Sequence, residues 1–589
     1  MYEVESFQTE VLVIGGGLSG CMAAIKAREE NVEVLVLESG NTYRSGNAGS
    51  GVDHLYSYVP PVHETIGYTK AQMKKDMEQV AMFQFGIGYR EIIDRFVETS
   101  FERIVSLEKY GIKMRFDDSH LKDGFRLIPQ FHSTPTSIHF EGRDIKIKLT
   151  EEMKRLGVKI FNHANVVKIM TADNGEAVGA IAVSTREDKI IVVEAKKTII
   201  ATSGGLGRLV QPVNNTSNGF DKASVPNCGF GITLAMNAGA EVTNLEFVFN
   251  NHGMGFLGYE FCVGAPGGSW WPAGRAVDSE GNVIVERAVD YDINETNYRE
   301  KYIEQIKKYH SQKKKMQAML REGKQIYLDL SEATDEEIDY IKWCFEHEGK
   351  FWLYLRNMEY DKVDLRNVRI PFVVNKKISV HGESTGVLVN ERCEATIPNL
   401  YAAGNAMGAG GQMVAPGAIV FGWEAGMQAG QAATQMGAIP KKSEKQIAEV
   451  IEIAEKYRCN RNGERWQDME KALQSIIQNM VTLPFQEDKI QDASIMVDML
   501  KKTDLYAENA HEVSRCFEVR SLIESAEAIF KAIGLRKENF GTFAKVGNPD
   551  IPVDAERDEN GVLTGTRIYG LYMSKDGELL FREHIPNGN

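Results

Sequence analysis

The spacing of apolar and polar positions changes along this chain, and each change marks an element. Val11-Leu-Val-Ile14 is a continuous apolar run of strand length that ends on glycines, which predicts a strand buried on both faces. Val34-Leu-Val-Leu37 repeats the pattern, and the small residues between the two runs predict a helix. From about 68 to 110, apolar residues recur at three- and four-residue spacing. They run through Met73, Met77, Val80 and Phe83, then Ile93, Phe96, Phe101, Ile104 and Leu107, so the stretch reads as helices. Arg143 to Leu156 reads as another helix. Val158-Lys-Ile-Phe-Asn162 and Val166-Val-Lys-Ile-Met170 alternate as strands. Ala177 to Ser184 and Lys189 to Ala195 predict a hairpin, and Lys197 to Thr202 a short buried strand running into Gly204 and Gly205. Asp290 to Lys324 reads as exposed helix and Ile326 to Leu330 as a strand. Beyond residue 440 the pattern is helical over Ile447 to Lys456, Trp466 to Met480, Ser494 to Leu505 and Val519 to Ile533. Ile568 to Ser574 and Leu579 to Arg582 then predict a hairpin around Asp576-Gly577.

Composition changes this picture in a few respects. A chain of 589 residues is too long for one core and implies about three to four domains. The net charge is −14 with no basic tract, which argues against a nucleic-acid partner. The opening residues are acidic, with no basic leader and no twin arginine, and no apolar run reaches membrane-spanning length. A cytoplasmic chain is therefore expected, attached to a membrane, if at all, through a partner. Cys21, Cys228, Cys262, Cys344, Cys393, Cys459 and Cys516 are scattered without a Cys-x-x-Cys pair, so no metal or iron–sulfur cluster held by this chain alone is expected.

The chemistry concentrates in glycine-rich turns. Gly15, Gly17 and Gly20 have the G-x-G-x-x-G spacing between a predicted strand and helix. The first glycine permits the tight turn, the second lets the backbone approach a pyrophosphate, and the third lets helix and strand pack closely. Glu38 ends the second strand at roughly the ~20-residue distance of a ribose-binding acid, and an acid there favours FAD or NAD. The following loop, Ser39 to His54, is rich in small residues and suits backbone contact along an extended cofactor. A second glycine turn follows Ala201-Thr-Ser203. A third glycine-rich region runs from Pro398-Asn-Leu-Tyr-Ala-Ala-Gly-Asn405 through Gly410-Gly-Gln-Met-Val-Ala-Pro-Gly417. No second dinucleotide fingerprint occurs, so direct oxidation of NAD(P)H by this chain is not expected.

In this order, the three regions resemble the fumarate reductase and succinate dehydrogenase flavoprotein superfamily over essentially the whole chain. Within it the sequence is similar to the adenylylsulfate (APS) reductase α subunit, through Gly15-Gly-Gly-Leu-Ser-Gly-Cys21, Arg44-Ser-Gly-Asn-Ala48 and Gly323-Lys-Gln-Ile-Tyr-Leu-Asp329. The resemblance implies an α/β fold. A Rossmann-like FAD-binding domain (1–250 and 375–437) would carry an inserted α+β capping domain (251–374) and a C-terminal helical domain (438–589). It implies a Glu246-Phe-Val248 strand leading into the active site and a helix starting near Pro416 that aims its N–H groups at the flavin. It implies FAD contacts from Gly15, Gly17, Leu18, Ser19, Gly20, Glu38, Ser39, Ser45, Gly46, Asn47, Gly49, Val166, Ala201, Thr202, Gly204, Gly404, Asn405, Gly417, Ala418 and Ile419. Ser45 stands where succinate dehydrogenases carry a flavin-linked histidine, so the FAD is expected to be non-covalent.

The same resemblance places substrate-side groups at His381 and His252. Trp270, Trp271 and Arg275 read from their chemistry as a lid that stacks on and charges a substrate, with an exposed partner interface as an equal reading of the tryptophans. His54 and Glu383 are expected behind these, as supporting groups. The passage Gly410 to Gly417 lacks the dicarboxylate-binding arginine of fumarate reductases. The implied function is a catalytic flavoprotein subunit that exchanges electrons between a small anionic substrate and a ferredoxin-like iron–sulfur β subunit, in a homo- or hetero-oligomer. The alternatives are a stand-alone reductase of an activated C=C bond in an enoate, and a flavin-binding protein without redox turnover.

Overall fold

The computed structural model describes residues 2–49, 51–80, 87–117, 119, 121–128, 136–204, 206–210, 228–250, 255–256, 273–290, 304, 308, 311–312, 314–316, 318–320, 322–348, 362–373, 379–380, 384–408, 410, 413–441, 443–539, 543–547 and 567–585. The chain opens with β1 (Glu3–Ile14), α1 (Leu18–Glu29) and β2 (Val34–Glu38). All of β2 and the Val11–Ile14 end of β1 are buried, as expected of parallel strands covered on both faces. β3 (Lys159–Asn162), β4 (Ala164–Thr171), β5 (Ala177–Ser184), β6 (Lys189–Ile200) and β7 (Leu400–Ala402) complete the main sheet.

The strand order is β3-β2-β1-β6-β5-β4, with β7 also pairing β6. β3, β2, β1, β6 and β7 run parallel, while β5 and β4 are antiparallel additions. The two predicted strands at Lys189–Ala195 and Lys197–Thr202 are one twelve-residue strand. Its first half pairs β5 and its second half β7, so one strand joins the hairpin to the nucleotide-binding sheet.

Against this sheet lie α1 and the long helix α2 (Val414–Thr434). Glycine sets their distance. A Cβ on Gly422 would lie 2.5 Å from the Ser19 carbonyl oxygen, and one on Gly426 would lie 2.2 Å from that of Ala23. A buried carboxylate, Glu424, ties α2 to the helix Arg90–Val105. Arg95 reaches it at 2.7 Å and Arg103 also pairs with it.

The segment after residue 250 contributes a five-stranded sheet that includes Arg275–Asp278 and Ile326–Asp329, and the helix Asp335–Glu348. A three-stranded sheet joins His54–Tyr56, Ser137–His139 and Arg126–Ile128. At the C-terminal end come helices Glu444–Cys459, Trp466–Met480, Glu487–Lys502 and Ala510–Leu535, then the hairpin Ile568–Met573 and Leu579–His584.

The structure corrects several expected elements. Glu246-Phe-Val248 is not a strand: Leu245–Phe247 is a 3-10 turn entered through Asn244 at φ 58°. The helix expected from Ser494 to Leu505 spans Glu487–Lys502, and Leu505 pairs beside Glu464 in a short parallel bridge. The helix read from Val519 begins at Ala510, where the Asn509 side chain accepts the Glu512 N–H. It is buried on most sides, so its start carries no amphipathic period. The helix expected near Pro416 starts at Val414, and that expected from Arg143 starts at Ile145. Most of the helix read over Asp290 to Lys324 lies outside the described residues. Among the described residues no helix is long and apolar enough to cross a membrane.

Candidate functional site

The glycine turn after β1 has the geometry its spacing predicts. Gly15 sits at φ +98°, where a Cβ would stand 2.7 Å from the Ala201 carbonyl oxygen. A Cβ on Gly20 would stand 1.8 Å from the Gly15 carbonyl oxygen, so Gly20 is a packing glycine. A Cβ on Gly17 would meet nothing within 4 Å, because this residue faces open space. Gly17 is also the N-cap of α1, and no side chain caps that helix. Its first N–H groups therefore point toward a cavity with their partial positive charge unanswered by protein side chains.

The cavity has a volume of about 410 Å³ and is walled by the segments the glycine motifs single out. Gly15, Gly17, Leu18 and Ser19 come from the first turn. Glu38, Ser39, Ser45, Gly46 and Asn47 come from the end of β2 and its loop, and Val166 from β4. Ala201 and Thr202 follow β6, and Asn405 and Ala418 come from the third region. Six other expected contacts lie behind this wall. Gly20, Gly49, Gly404 and Gly417 each abut backbone or side chain of a neighbouring turn, Ile419 is fully buried in α2, and Gly204 is buried beside the turn. α2 also begins at the cavity without a side-chain cap, its first turn lining the wall through Val414, Ala415 and Pro416.

Glu38 is fixed by its backbone surroundings. One carboxylate oxygen accepts the Gly16 N–H at 2.6 Å, and the other accepts the Gly40 N–H at 2.6 Å. The oxygen facing Gly40 also accepts from the Ser39 hydroxyl at 3.4 Å, so the oxygen facing Gly16 is the one that keeps a lone pair for a ribose hydroxyl. Behind the turn, the Gly16 carbonyl accepts from the Ser45 hydroxyl at 3.1 Å and from the fully buried Lys146 ammonium. Lys146 also lies 2.9 Å from the Cys21 sulfur. Thr202 lines the cavity, but its hydroxyl is buried against Gly231, where a Cβ would stand 2.4 Å from it. Two uncapped helix starts, a bare glycine and an oriented acid around one cavity fit FAD: phosphates at α1, a ribose at Glu38 and the ring system toward α2.

Sequence reasoning named His54 as a supporting group but missed Asp53 and His139 beside it. Asp53, His54 and Tyr56 line the cavity, as do Asn165, Ser203, Cys228 and Phe230. One Asp53 carboxylate oxygen lies 2.5 Å from His54 Nδ1, and the other lies 3.2 Å from His139 Nε2. Burial alone would raise the Asp53 carboxyl, but the two imidazoles hold it well below the usual carboxylate range. Burial lowers the His139 imidazole below its ordinary value, outweighing the Asp53 carboxylate. The only sequence signal was the position of Asp53 and His54 at the end of the small-residue loop. His139 lies far away in the sequence.

Of the expected substrate-side residues, His252, Trp270, Trp271, His381 and Glu383 lie outside the described residues. Arg275 is described. Its guanidinium meets Asp329 at 3.2 Å, Ser331 at 3.0 Å and the Glu332 carboxylate, and it is not among the residues lining the cavity.

Comparison with known proteins agrees with this site. Residues 10–418 match the FAD binding domain family. An uncharacterized FAD-dependent oxidoreductase of Methanocaldococcus jannaschii is 24% identical over 92% of this chain and 94% of its own. One of the subunits of the CoM/CoB fumarate reductase of Methanothermobacter marburgensis is 24% identical over 93% of this chain and 96% of its own. In fold, the chain is similar to adenylylsulfate reductase of Archaeoglobus fulgidus, with TM-score 0.77 and 18% identity over 100% of this chain and 97% of that one. It is also similar to the FrdA chain of E. coli quinol fumarate reductase, with TM-score 0.73 and 17% identity over 99% and 97%. The glycine turn, the ribose acid and the second helix start all fall within the matched residues, and this chain belongs to the FAD binding domain family, with FAD as its cofactor.

Proposed function

We propose that this FAD-dependent oxidoreductase is the catalytic flavoprotein of an electron-transfer pair, moving electrons between a small anionic substrate and an iron–sulfur partner protein. The observation that carries this reading is the start of α2, which opens on the same cavity as the start of α1 without a side-chain cap. FAD, when bound, supplies the two-electron chemistry, and the protein supplies position and charge. The N–H groups of α1 are suited to hold the phosphates, and Glu38 to orient a ribose through the lone pair left open on the oxygen that accepts the Gly16 N–H. The positive end of α2 favours negative charge in the cavity, whether on the reduced ring system or on an anionic substrate beside it. His252, Trp271, Arg275 and His381 are the groups proposed to meet the substrate. Arg275 does so by exchanging one of its present acceptors.

Ser45 donates to the Gly16 carbonyl and offers no imidazole for a flavin link, which supports a non-covalent cofactor. The fold shared with adenylylsulfate reductase and fumarate reductase chains supports the partner assignment, as does the lack of a Cys-x-x-Cys pair for a cluster of the chain's own.

The purified protein is expected to show flavin absorbance, to release all of it on acid precipitation, and to co-purify with a ferredoxin-like protein. Dithionite-reduced protein should be reoxidised by one of APS, fumarate or an aromatic enoate. Full turnover by this chain alone from a soluble donor would favour the stand-alone enoate reductase. Reoxidation by none of the three would sink the proposal.

A further inference from the structure

His54 and His139 face each other across one rung of the three-stranded sheet, with Arg126 on the next strand of the same rung. Asp53 bridges the two imidazoles. The second ring nitrogen of His139, Nδ1, lies 3.2 Å from the hydroxyl of Tyr340, on the helix Asp335–Glu348. Asp53, His139 and Tyr340 are buried, and among the described residues His54 is the histidine that borders the cavity.

The described contacts fit the following proton arrangement. A phenol donates to His139 Nδ1, which makes His139 Nε2 the N–H that Asp53 accepts. His54 Nδ1–H donates to the other Asp53 oxygen, so His54 changes its charge at Nε2. Of the other charged groups, Arg44 and Glu38 also line the cavity, Arg44 held by backbone carbonyls and Glu38 by backbone N–H groups. The Arg126 guanidinium lies over the rings of Phe116, Tyr340 and Trp343. Asp76 accepts from Tyr68, and Glu424 of α2 is paired with Arg95 and Arg103.

We propose that His54 is the acid–base group of the cavity, oriented and charge-balanced by Asp53, with His139 and Tyr340 as positioning residues that tie it to the helix Asp335–Glu348. The inference rests on the redox reading above and deepens it. When the cavity gains negative charge on reduction, by electrons from the iron–sulfur partner or from dithionite, a proton from water bonds to Nε2 of His54 through the nitrogen lone pair. The Asp53 carboxylate balances the imidazolium. When the substrate takes up the electron pair that bound FAD would supply, that N–H bond breaks. The proton goes to the substrate atom that has gained the electrons, and the bonding pair returns to Nε2.

The test needs no substrate. FAD-loaded full-length protein is titrated anaerobically with dithionite against redox dyes between pH 5.5 and 8.5. In the wild type the midpoint potential should carry, over part of this range, an extra slope of one proton per two electrons, about 30 mV per tenfold change in proton concentration. His54→Gln should lose the extra slope while keeping its FAD. Asp53→Asn should move it by at least one pH unit toward acid, and Tyr340→Phe should move it by less. A wild-type slope in FAD-loaded His54→Gln, or a wild-type profile in Tyr340→Phe, would overturn the proposal. Tyr340→Phe removes one oxygen and keeps the ring, so it carries the test if a cavity variant fails to fold. A negative substrate screen leaves this titration readable, so the two proposals fail separately.

Discussion

Gly17 and Gly20 stand three residues apart in one motif, yet the structure gives them opposite tolerances. Gly17 is at φ −66° with open space around a would-be Cβ, whereas Gly20 presses on the Gly15 carbonyl. Gly17→Ala should therefore fold with wild-type stability and lose FAD affinity by tenfold or more, because its methyl enters the phosphate position. Gly20→Ala should lose about 1–3 kcal/mol of stability, the usual cost of overpacking. Denaturant melts and fluorescence titration with FAD check the pair, and equal stability in the two variants would contradict these roles. The buried Asp53–His139 pair adds a pH dependence of definite sign. Both folded pKa values lie below their ordinary values of 3.8 and 6.5. The unfolded chain thus binds more protons in the interval below each ordinary value, and stability is lost as pH falls, first below 6.5 through His139 and then below 3.8 through Asp53. His139→Gln should flatten the first part of that decline in urea melts taken from pH 7 to 5.

Contacts between elements decide how the cavity walls are held. Arg536, at the end of the helix Ala510–Leu535, is fully buried. It reaches Glu246 at 2.6 Å, in the 3-10 turn that replaced the expected strand. Arg536→Ala leaves the Glu246 carboxylate buried without its cation and should cost about 3–5 kcal/mol, the range for breaking a buried pair. A chemical denaturation curve within 1 kcal/mol of wild type (about fivefold in the folding constant) would contradict it. α1 and α2 present the converse case, since their contact depends on missing side chains. Gly426→Val should lose about 1–3 kcal/mol by pushing α2 off the Ala23 carbonyl, and weaken FAD binding because the start of α2 moves with it.

Across the whole molecule, the cavity joins segments from the first turn to α2, so FAD binding and global stability should be linked. FAD at 100 times its Kd should raise stability by about 2.7 kcal/mol, seen as a concentration-dependent rise in melting temperature. The amino-acid sequence by itself determined the parallel strands, the glycine turn, Glu38 and the family. Those features are local: a continuous apolar run, a fixed glycine spacing and an acid at a set distance are all readable along the chain. Only the tertiary structure decided which glycines face the cavity and which pack behind it, that β6 is one strand with three partners, and that Asp53 lies between His54 and His139. Each of these depends on the sheet bringing together residues with no fixed spacing between them. A buried charge network is specified by what surrounds it in space, and hydrophobic periodicity carries no record of that.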